Sequence, residues 1–304
     1  MANSVVSAAE VDRGHESYRA RMLFSFFAVY VIWGTTFLAI RIAVEELPPL
    51  FAAAARFFTA GIVLYGFMRF RGEASPTPRQ WRNLGIVALF LFVAEYAPLF
   101  WAEKFVPSGV VSVLAATIPI LTLVAEAIIF REKHLKPGTI IATLIGFSGV
   151  AILLLRGADS TFGLLPCIAV LSGSICWAVG SVFNRSMDLP KSRPLTAGAT
   201  MMLGGIGLFA LSEGFGELHP LPHISTRAVW SLLYLIVFGS LVAFTAFVWL
   251  IGHMSASRVS SYAYVNPVIA IAIGHFWAGE PITPRILAGT ALVLVSVFLI
   301  LRQK

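Results

Sequence analysis

The sequence predicts an all-α membrane protein of ten transmembrane helices, arranged as two inverted five-helix repeats with both termini in the cytoplasm. Three observations lead to this prediction. The 304 residues are 58% hydrophobic and only 12% charged, whereas soluble domains are about 45–50% apolar and about 25% charged. The apolar residues fall into ten runs, each close to the about 20 residues that cross a bilayer. Residues of the first half also recur in the second half at nearly constant offsets.

The elements follow in chain order. Residues 1–21 are polar, mixed in charge and without the apolar core of a signal peptide, so we expect a disordered cytoplasmic tail. Short connections with helix breakers then separate the apolar runs, among them Leu47-Pro48-Pro49, Pro137-Gly138 and Gly279-Glu280-Pro281. The seventh run is glycine-rich and the least typical. The predicted spans are residues 22–43, 48–70, 81–103, 107–130, 138–156, 162–185, 194–213, 228–251, 256–278 and 283–302.

The distribution of basic residues predicts the orientation. If the N-terminus and alternate connections face the cytoplasm, 16 of the 22 Lys and Arg lie inside, 5 lie outside and Arg56 lies within a span. Basic residues are enriched on the cytoplasmic side of membrane proteins. Both termini are therefore predicted to be cytoplasmic, as an even number of spans requires. The same bias accounts for the net charge of +7 without a nucleic-acid partner.

Matched residues at nearly constant offsets indicate an internal repeat. At an offset of 148, Trp101, Pro119, Glu132 and Ser112 match Trp249, Pro267, Glu280 and Ser260. At an offset of 144, Trp33 and Arg41 match Trp177 and Arg185. Residues 22–156 and 162–302 are therefore interpreted as two copies of a five-span unit. An odd number of spans inserts the second copy upside down, and such inverted repeats are typical of secondary transporters.

Several functional classes are not favoured. Cys167 and Cys176 lie nine residues apart in one apolar run, where they form neither a disulfide framework nor a metal site. Enzyme and nucleotide-binding motifs are absent, so no enzyme, cofactor or metal is expected, and transport would be gradient-driven or facilitative. A membrane enzyme would need a cluster of His, Asp or Cys at one membrane face. A channel would need a polar stripe, of which only a fragment is present: Ser255, Ser257, Ser260 and Ser261.

Charged residues inside the membrane are the first candidates for a site. Arg56 and Glu95 each lie eight residues from the outer end of their span, about 12 Å deep at 1.5 Å per residue. Because a lone charge at that depth costs about 2.5–3.5 kcal/mol, we expect the two to pair. A structural ion pair is favoured over a substrate-carboxylate or proton site. His275, near the outer end of span 9, either titrates or donates one hydrogen bond to a neighbour.

Aromatic residues are the second group. Trp33 and Trp177 lie near mid-depth, where an interfacial belt does not explain them, so they either line a cavity or fill gaps between helices. Pro119 and Pro267 interrupt two spans and free backbone carbonyls there. Tyrosine hydroxyls that flank these prolines need partners away from water. The residues that flank the two interrupted spans are Tyr96, Trp101, Tyr262, Tyr264 and Asn266. For Trp101 a belt role and a substrate role are equally favoured.

These residues resemble a known family, the EamA-type transporters of the drug/metabolite transporter superfamily. The matching motifs are Trp33-Gly34-Thr35-Thr36-Phe37 with Arg41, Leu47-Pro48-Pro49 with Ala55-Arg56-Phe57, Asn266-Pro267, and Gly279-Glu280-Pro281-Ile282-Thr283. The resemblance covers nearly the whole chain and implies ten spans, inverted repeats and export of small metabolites. Within the family, the chain is most similar to the bacterial aromatic amino-acid exporters of the YddG kind. It departs from the pattern at Arg131-Glu132-Lys133, where the first copy lacks Gly-Glu-Pro.

The expected function is export of small amphipathic metabolites, in particular amino acids including aromatic ones, by alternating access around a midplane cavity. Only Arg56 offers a cavity cation, so a neutral or zwitterionic substrate is favoured over a phosphate or nucleotide sugar. A multidrug or other metabolite permease of the same fold is the alternative, and a membrane enzyme is less favoured. We expect a multi-pass protein of the inner membrane whose partners are its substrate and the bilayer, and a monomer. The candidate substrate-binding residues are Trp33, Phe37, Tyr96, Trp101, Trp177, Tyr262, Tyr264 and Asn266, and the structural or coupling candidates are Arg56, Glu95, His275, Pro119 and Pro267.

Overall fold

The computed structural model describes residues 8–130, 137–154, 162–218, 224–254, 259 and 261–302, and all regular secondary structure in these ranges is helical. The helices form ten segments, some of them interrupted. These are α1 (Ala8–Phe27, Ala28–Ile32 and Trp33–Val44), α2 (Pro49–Phe70), α3 (Pro78–Ala88, Leu89–Val93 and Ala94–Ala102), α4 (Ser108–Ala115 and Ile118–Ile129), α5 (Pro137–Leu154), α6 (Leu164–Ser186), α7 (Arg193–Gly214), α8 (Thr226–Tyr234, Leu235–Val242 and Ala243–His253), α9 (Tyr262–Ala278) and α10 (Pro284–Arg302).

Among the described residues, seven stretches are long and apolar enough to cross a membrane: Tyr18–Val44, Pro49–Phe70, Pro78–Ala102, Ser108–Ile129, Leu164–Ser186, Arg193–Gly214 and Thr226–Leu250. Shorter apolar helices lie in α5 (Ile140–Leu154) and α10 (Pro284–Leu299), and α9 has 17 residues. An all-helical membrane protein is therefore confirmed. The count of ten spans and the cytoplasmic termini stay predictions.

The N-terminal segment differs from the sequence-based expectation. α1 begins at Ala8, so the prediction of a disordered tail is wrong for residues 8–21. A span that is already helical removes the cost of nucleation, and the helix can continue into the preceding residues. The extension also packs against α8, since the rings of Tyr18 and Trp249 are 5.7 Å apart and the Arg21 guanidinium lies 5.1 Å from the Trp249 ring.

Some sequence-based interpretations fall on residues that the structure does not describe. The match of Glu132 with Glu280, the departure at Arg131-Glu132-Lys133 and the match of Ser112 with Ser260 involve residues outside the described ranges. Ser255 and Ser257 lie outside them too.

Helix packing has the same pattern in both halves of the chain. α2 packs along α7, α4 along α9 and α5 along α10, so each of these three helices contacts its counterpart five helices later. The contacts of α1 with α9 and of α3 with α6 are likewise repeated by α6 with α4 and by α8 with α1. Exchanging the two halves therefore leaves these contacts unchanged.

Glycines set the closest of these approaches. A Cβ on Gly61 would lie 2.2 Å from the backbone nitrogen of Met202, and one on Gly205 would lie 2.4 Å from the backbone nitrogen of Phe58. The two pairs are related by the offset of 144 that the sequence shows. Among the glycines of the seventh run, Gly198 and Gly205 therefore let α7 approach α2, whereas Gly204 and Gly207 lie against Phe92 and Val93 of α3.

Irregular turns interrupt several helices near their middle. α1, α3 and α8 each contain a π-helical stretch, at Ala28–Ile32, Leu89–Val93 and Leu235–Val242. Such stretches are frequent at functional sites. α4 is broken between Ala115 and Ile118, just before Pro119, whereas α9 continues through Pro267. These irregularities surround one region at mid-depth.

Carboxylates join the two halves at the predicted outer face. Each one accepts hydrogen bonds from the N-terminus of a helix in the other half, where backbone N–H groups lack intrahelical acceptors. Glu46 accepts from Ser225 before α8, Glu217 from Phe51 in α2, and Glu280 from Ser108 in α4. These bonds hold the two halves together at that end of the bundle.

Candidate functional site

A cavity lies at mid-depth between α1, α2, α3, α4, α6 and α9, and its volume is about 90 Å³. A single buried water needs about 10–15 Å³, so the cavity has room for several waters or a small solute. Ten of the residues singled out from the sequence line it: Trp33, Phe37, Arg56, Glu95, Tyr96, Pro119, Trp177, Tyr262, Asn266 and Pro267.

Three candidate residues lie elsewhere. Trp101 packs against Phe105 at the end of α3, with ring centroids 5.2 Å apart. Tyr264 faces Phe298 of α10 at 6.4 Å. It is two residues from Tyr262, which turns it about 200° around the helix and away from the cavity. The ring of His275 contacts the carbonyl oxygen of Glu280 through Nδ1 at 2.9 Å, which matches the hydrogen-bonding role predicted for it.

One wall of the cavity is built around Trp33, which follows the π turn of α1. Its indole Nε1 donates to the carbonyl of Gly239 in the π stretch of α8 at 3.0 Å. Its ring contacts those of Phe247 at 5.1 Å and Tyr262 at 5.3 Å. The indole N–H is therefore satisfied by the protein, and Trp33 offers the cavity an apolar ring in a fixed position.

The opposite wall is built around Trp177 and Tyr96. Their rings are 6.1 Å apart, and Tyr96 also contacts Phe57 at 4.4 Å. The pair formed by Trp33 and Phe244, at 6.3 Å, repeats the pair formed by Trp177 and Tyr96 at the offsets found in the sequence. Equivalent tryptophans thus face the cavity from both halves.

Asn266 lines the cavity, but its amide serves the fold. With its nitrogen turned toward the π turn of α1, the amide donates to the carbonyl of Tyr30 at 3.0 Å and to that of Val29 at 3.3 Å. Those carbonyls lie where the π turn disturbs the helical hydrogen-bond pattern. Asn266 therefore ties α9 to α1 beside Pro267.

The predicted ion pair between Arg56 and Glu95 is wrong, since the structure has no salt bridge between them. Arg56 Nε donates to Ser240 Oγ on α8 at 3.0 Å, and its guanidinium lies over the rings of Phe57 and Tyr96 at 4.8 and 5.7 Å. Glu95 instead lies against α6. Equal depth in the membrane did not place the two side chains side by side, because each is directed toward a different neighbouring helix.

Both charged side chains are almost completely buried, with 3% of each exposed. Arg56 Nη1 and Glu95 Oε2 have no hydrogen-bond partner within the part of the chain that the structure describes. Oε2 lies so close to Gly173 of α6 that a Cβ there would be 2.8 Å away. The cavity wall thus holds a guanidinium group and a carboxyl group that are not paired with each other.

Two alanines that precede the prolines of α4 and α9 also line the cavity. Ala115 and Ala263 both line it, and they lie four residues before Pro119 and Pro267. Proline has no N–H to donate to the carbonyl four residues earlier. The carbonyls of Ala115 and Ala263 therefore lack their usual donor four residues later, one in each half.

Sequence reasoning missed the small and apolar part of the lining. These residues are Thr36, Ile40, Leu99, Ser112, Ala115, Ala116, Ile118 and Ala263. Most are ordinary residues of a membrane span, and nothing in their type distinguishes cavity from helix contact. The proline spacing could have indicated Ala115 and Ala263, and the Trp33-Gly34-Thr35-Thr36-Phe37 motif could have indicated Thr36.

A second polar cluster lies near the outer end of the bundle. Arg41 Nε is 3.5 Å from Glu280 Oε1, and Arg41 Nη1 donates to the carbonyls of Val106 at 2.7 Å and Glu103 at 3.3 Å. Glu103 follows the last residue of the α3 span and is fully buried, and neither carboxylate oxygen has a hydrogen-bond partner among the described residues. Burial, together with the nearby charge of Glu280, raises the pKa of Glu103 well above its usual range, although Arg41 opposes the shift.

Comparison with known proteins identifies the class of protein that carries this cavity. The sequence pattern of the EamA-like transporter family matches residues 20–155 and again residues 164–302. The chain therefore belongs to the EamA-like transporter family, as the resemblance in the sequence indicated, and it is a transporter rather than an enzyme. Together with its membrane-spanning helices, this makes it a multi-pass inner membrane protein.

Individual relatives agree with this assignment. The chain is 36% identical to the inner membrane transporter YedA of Escherichia coli (strain K12) over 279 residues, which cover 91% of this chain and 89% of YedA. It is 25% identical over 280 residues to a probable amino-acid metabolite efflux pump of Salmonella typhimurium, covering 89% of this chain and 91% of the relative. A solved crystal structure shares the fold with a TM-score of 0.61 and 20% identity, covering 92% of this chain and 96% of that one.

Proposed function

We propose that this transporter is a secondary exporter of small amphipathic metabolites, in particular amino acids with hydrophobic or aromatic side chains. The observation that carries the proposal is the mid-depth cavity, in which equivalent tryptophans of the two halves, Trp33 and Trp177, face a polar zone with one arginine and one carboxyl group. Aromatic walls suit an apolar side chain, and the charged groups suit a polar end. The proposal extends to the candidate residues that line the cavity.

The proposed mechanism is alternating access of two inverted five-helix repeats. Two features support it. The family pattern matches the chain twice, and the main helix contacts described above recur when the halves are exchanged. Binding at the interface of such repeats is typical of secondary transporters, which rock one repeat against the other around a fixed midplane site.

The charged residues of the cavity favour a neutral or zwitterionic substrate. Arg56 is the cation in the lining, and Glu95 is the acid. A phosphate or a nucleotide sugar would be expected to need several Arg or Lys side chains. A neutral or zwitterionic substrate is compatible with the observed balance. The name of the Salmonella typhimurium relative, a probable amino-acid metabolite efflux pump, points in the same direction.

The volume of the cavity limits which amino acids it can hold without rearrangement. An apolar cavity of about 150 Å³ holds benzene, whereas this one measures about 90 Å³. An aromatic amino acid would therefore require the cavity to widen as the two halves move. Smaller amino acids would fit with less rearrangement.

The test is counterflow in proteoliposomes that contain the purified protein and an unlabelled amino acid inside. Accumulation of labelled amino acids from a panel, with and without a pH gradient, is then measured. We expect hydrophobic and aromatic amino acids to exchange, and a gradient effect would indicate proton coupling. If folded protein moves none of the panel, the amino-acid proposal is wrong, and a drug or other metabolite permease of the same fold takes its place.

A further inference from the structure

Two residues that line the cavity, Arg56 and Glu95, carry unpartnered polar atoms that point to a more specific substrate. Arg56 Nη1 and Glu95 Oε2 are buried polar atoms without hydrogen-bond partners, and both residues line the same cavity. Buried charges are normally paired, because leaving one unsatisfied is costly. Both atoms are closed off in this conformation. Since they do not form a salt bridge with each other, a ligand that carries both opposite charges and reaches them as the cavity widens would satisfy both.

The surroundings hold the Arg56 guanidinium in place for such a ligand. Arg56 is fixed at one end by Ser240 and lies over the rings of Phe57 and Tyr96. A Cβ on Gly239 would lie 3.0 Å from Arg56 Nη2, so this nitrogen also has little freedom. An arginine that is positioned by packing retains its planar donor geometry for a carboxylate.

The repeat provides an independent argument. The counterpart of Arg56 at the offset of 144 is Thr200, and the counterpart of Glu95 at the offset of 148 is Ala243. The contacts between α2 and α7 obey the first offset, and the aromatic pairs with α3 and α8 obey the second. Packing that is common to both halves therefore does not need these charges, because the second half achieves it without them.

We propose that Arg56 and Glu95 form a zwitterion site, in which Arg56 binds the α-carboxylate of an amino acid and Glu95 binds its α-ammonium group. This inference rests on the proposed function and adds the orientation of the substrate. The side chain then extends along the rings of Trp33 and Trp177. Substrates that lack either charge leave one buried group unpaired, so the site selects against amines and against N-acylated amino acids.

The test measures binding to purified protein in detergent with labelled phenylalanine and three unlabelled competitors. The competitors are phenylalanine, phenethylamine, which lacks the carboxylate, and N-acetylphenylalanine, which lacks the ammonium group. A hydrogen bond to a charged group changes affinity by about 10- to 100-fold. We expect the wild-type protein to bind phenylalanine more tightly than either analogue by about this factor, a comparison that needs no variant.

Two variants assign the charges. In Arg56→Gln, phenylalanine should lose about 10- to 100-fold in affinity while phenethylamine is little changed. In Glu95→Gln, the preference over N-acetylphenylalanine should disappear instead. Arg56→Lys keeps the positive charge and should retain part of the discrimination, which separates a lost contact from a lost fold.

Different results would contradict the zwitterion site and the proposed function. If the wild-type protein binds phenylalanine and both analogues equally, or if each variant weakens all three ligands alike, as a purely structural role predicts, the zwitterion site is wrong and the proposed function stands. If folded wild-type protein binds none of these ligands and moves no amino acid of the counterflow panel, the proposed function is wrong and the zwitterion site falls with it.

Discussion

Replacement of Glu280 by alanine tests how the two halves of the protein are joined. Its carboxylate accepts hydrogen bonds from Ser108 N at 2.8 Å, Ser108 Oγ at 3.0 Å and Gly109 N at 3.2 Å, and it forms an ion pair with Arg41. The side chain is only 7% exposed. Glu280→Ala removes the acceptor of all these donors at the N-terminus of α4.

The magnitude follows from the geometry. Removing one partner of a buried, hydrogen-bonded charge pair costs about 3–5 kcal/mol. Glu280→Ala should therefore lower the free energy of unfolding by about that amount. Glu280→Gln keeps one acceptor oxygen but loses the charge, so a smaller loss of about 1–3 kcal/mol is expected.

The assay is denaturant titration of the purified protein in mild detergent, with midpoint and slope fitted separately. A matched control is Glu45→Gln, since Glu45 is 49% exposed and forms an ion pair with Arg227 at the surface. Exposed pairs contribute about 0–1 kcal/mol. Equal stability of the Glu280→Ala and Glu45→Gln proteins would refute the view that Glu280 holds α4.

The remaining predictions concern packing, pH and the indole N–H of the cavity wall. Gly61→Ala should destabilise the protein in the same titration, because its Cβ would meet Met202, whereas Gly66→Ala, with no atom within 4 Å, should be neutral or stabilising; equal effects would contradict the packing argument. Because burial raises the pKa of Glu103 in the folded state, the stability that its protonated form contributes is present below the ordinary glutamate pKa and is lost as pH rises through the raised value. Glu103→Gln should therefore gain stability relative to wild type with rising pH, despite the nearby Arg41 and Glu280, and an unchanged pH profile would contradict this. Trp33→Phe, which removes the donor to Gly239, should lower stability by about 1–3 kcal/mol, and no loss would show that this hydrogen bond is unimportant.

Much of the architecture could be predicted from the sequence because a few residue types each have a characteristic structural role in membrane helices. Apolar runs predicted the helices, and the offset of 144 correctly related the glycine contacts between α2 and α7. The depth of Trp33 and Trp177 left open whether they line a cavity or fill gaps between helices, and in the structure both line the cavity. Pro119 and Pro267 also lie at the cavity, although only α4 is broken there and α9 passes through its proline without interruption.

Other features depend on the direction in which a side chain points around its helix, which depth alone does not give. Arg56 and Glu95 share a depth but are directed at α8 and α6, and Tyr264 is turned away from the cavity that Tyr262 lines. The π turns also escaped prediction, because they depend on neighbours such as Trp33 and Asn266 that bond to the displaced carbonyls.

The measurement that tests the central claim most directly is counterflow of labelled phenylalanine in proteoliposomes with two tryptophan variants. Trp177→Ala removes a wall of the cavity, whereas Trp277→Ala removes an indole that is 78% exposed near the end of α9. The account predicts that exchange falls at least about tenfold in Trp177→Ala, as loss of a buried aromatic contact of more than 1.4 kcal/mol implies, and stays near wild type in Trp277→Ala. Equal exchange by both folded variants would contradict the claim that the substrate passes through this cavity.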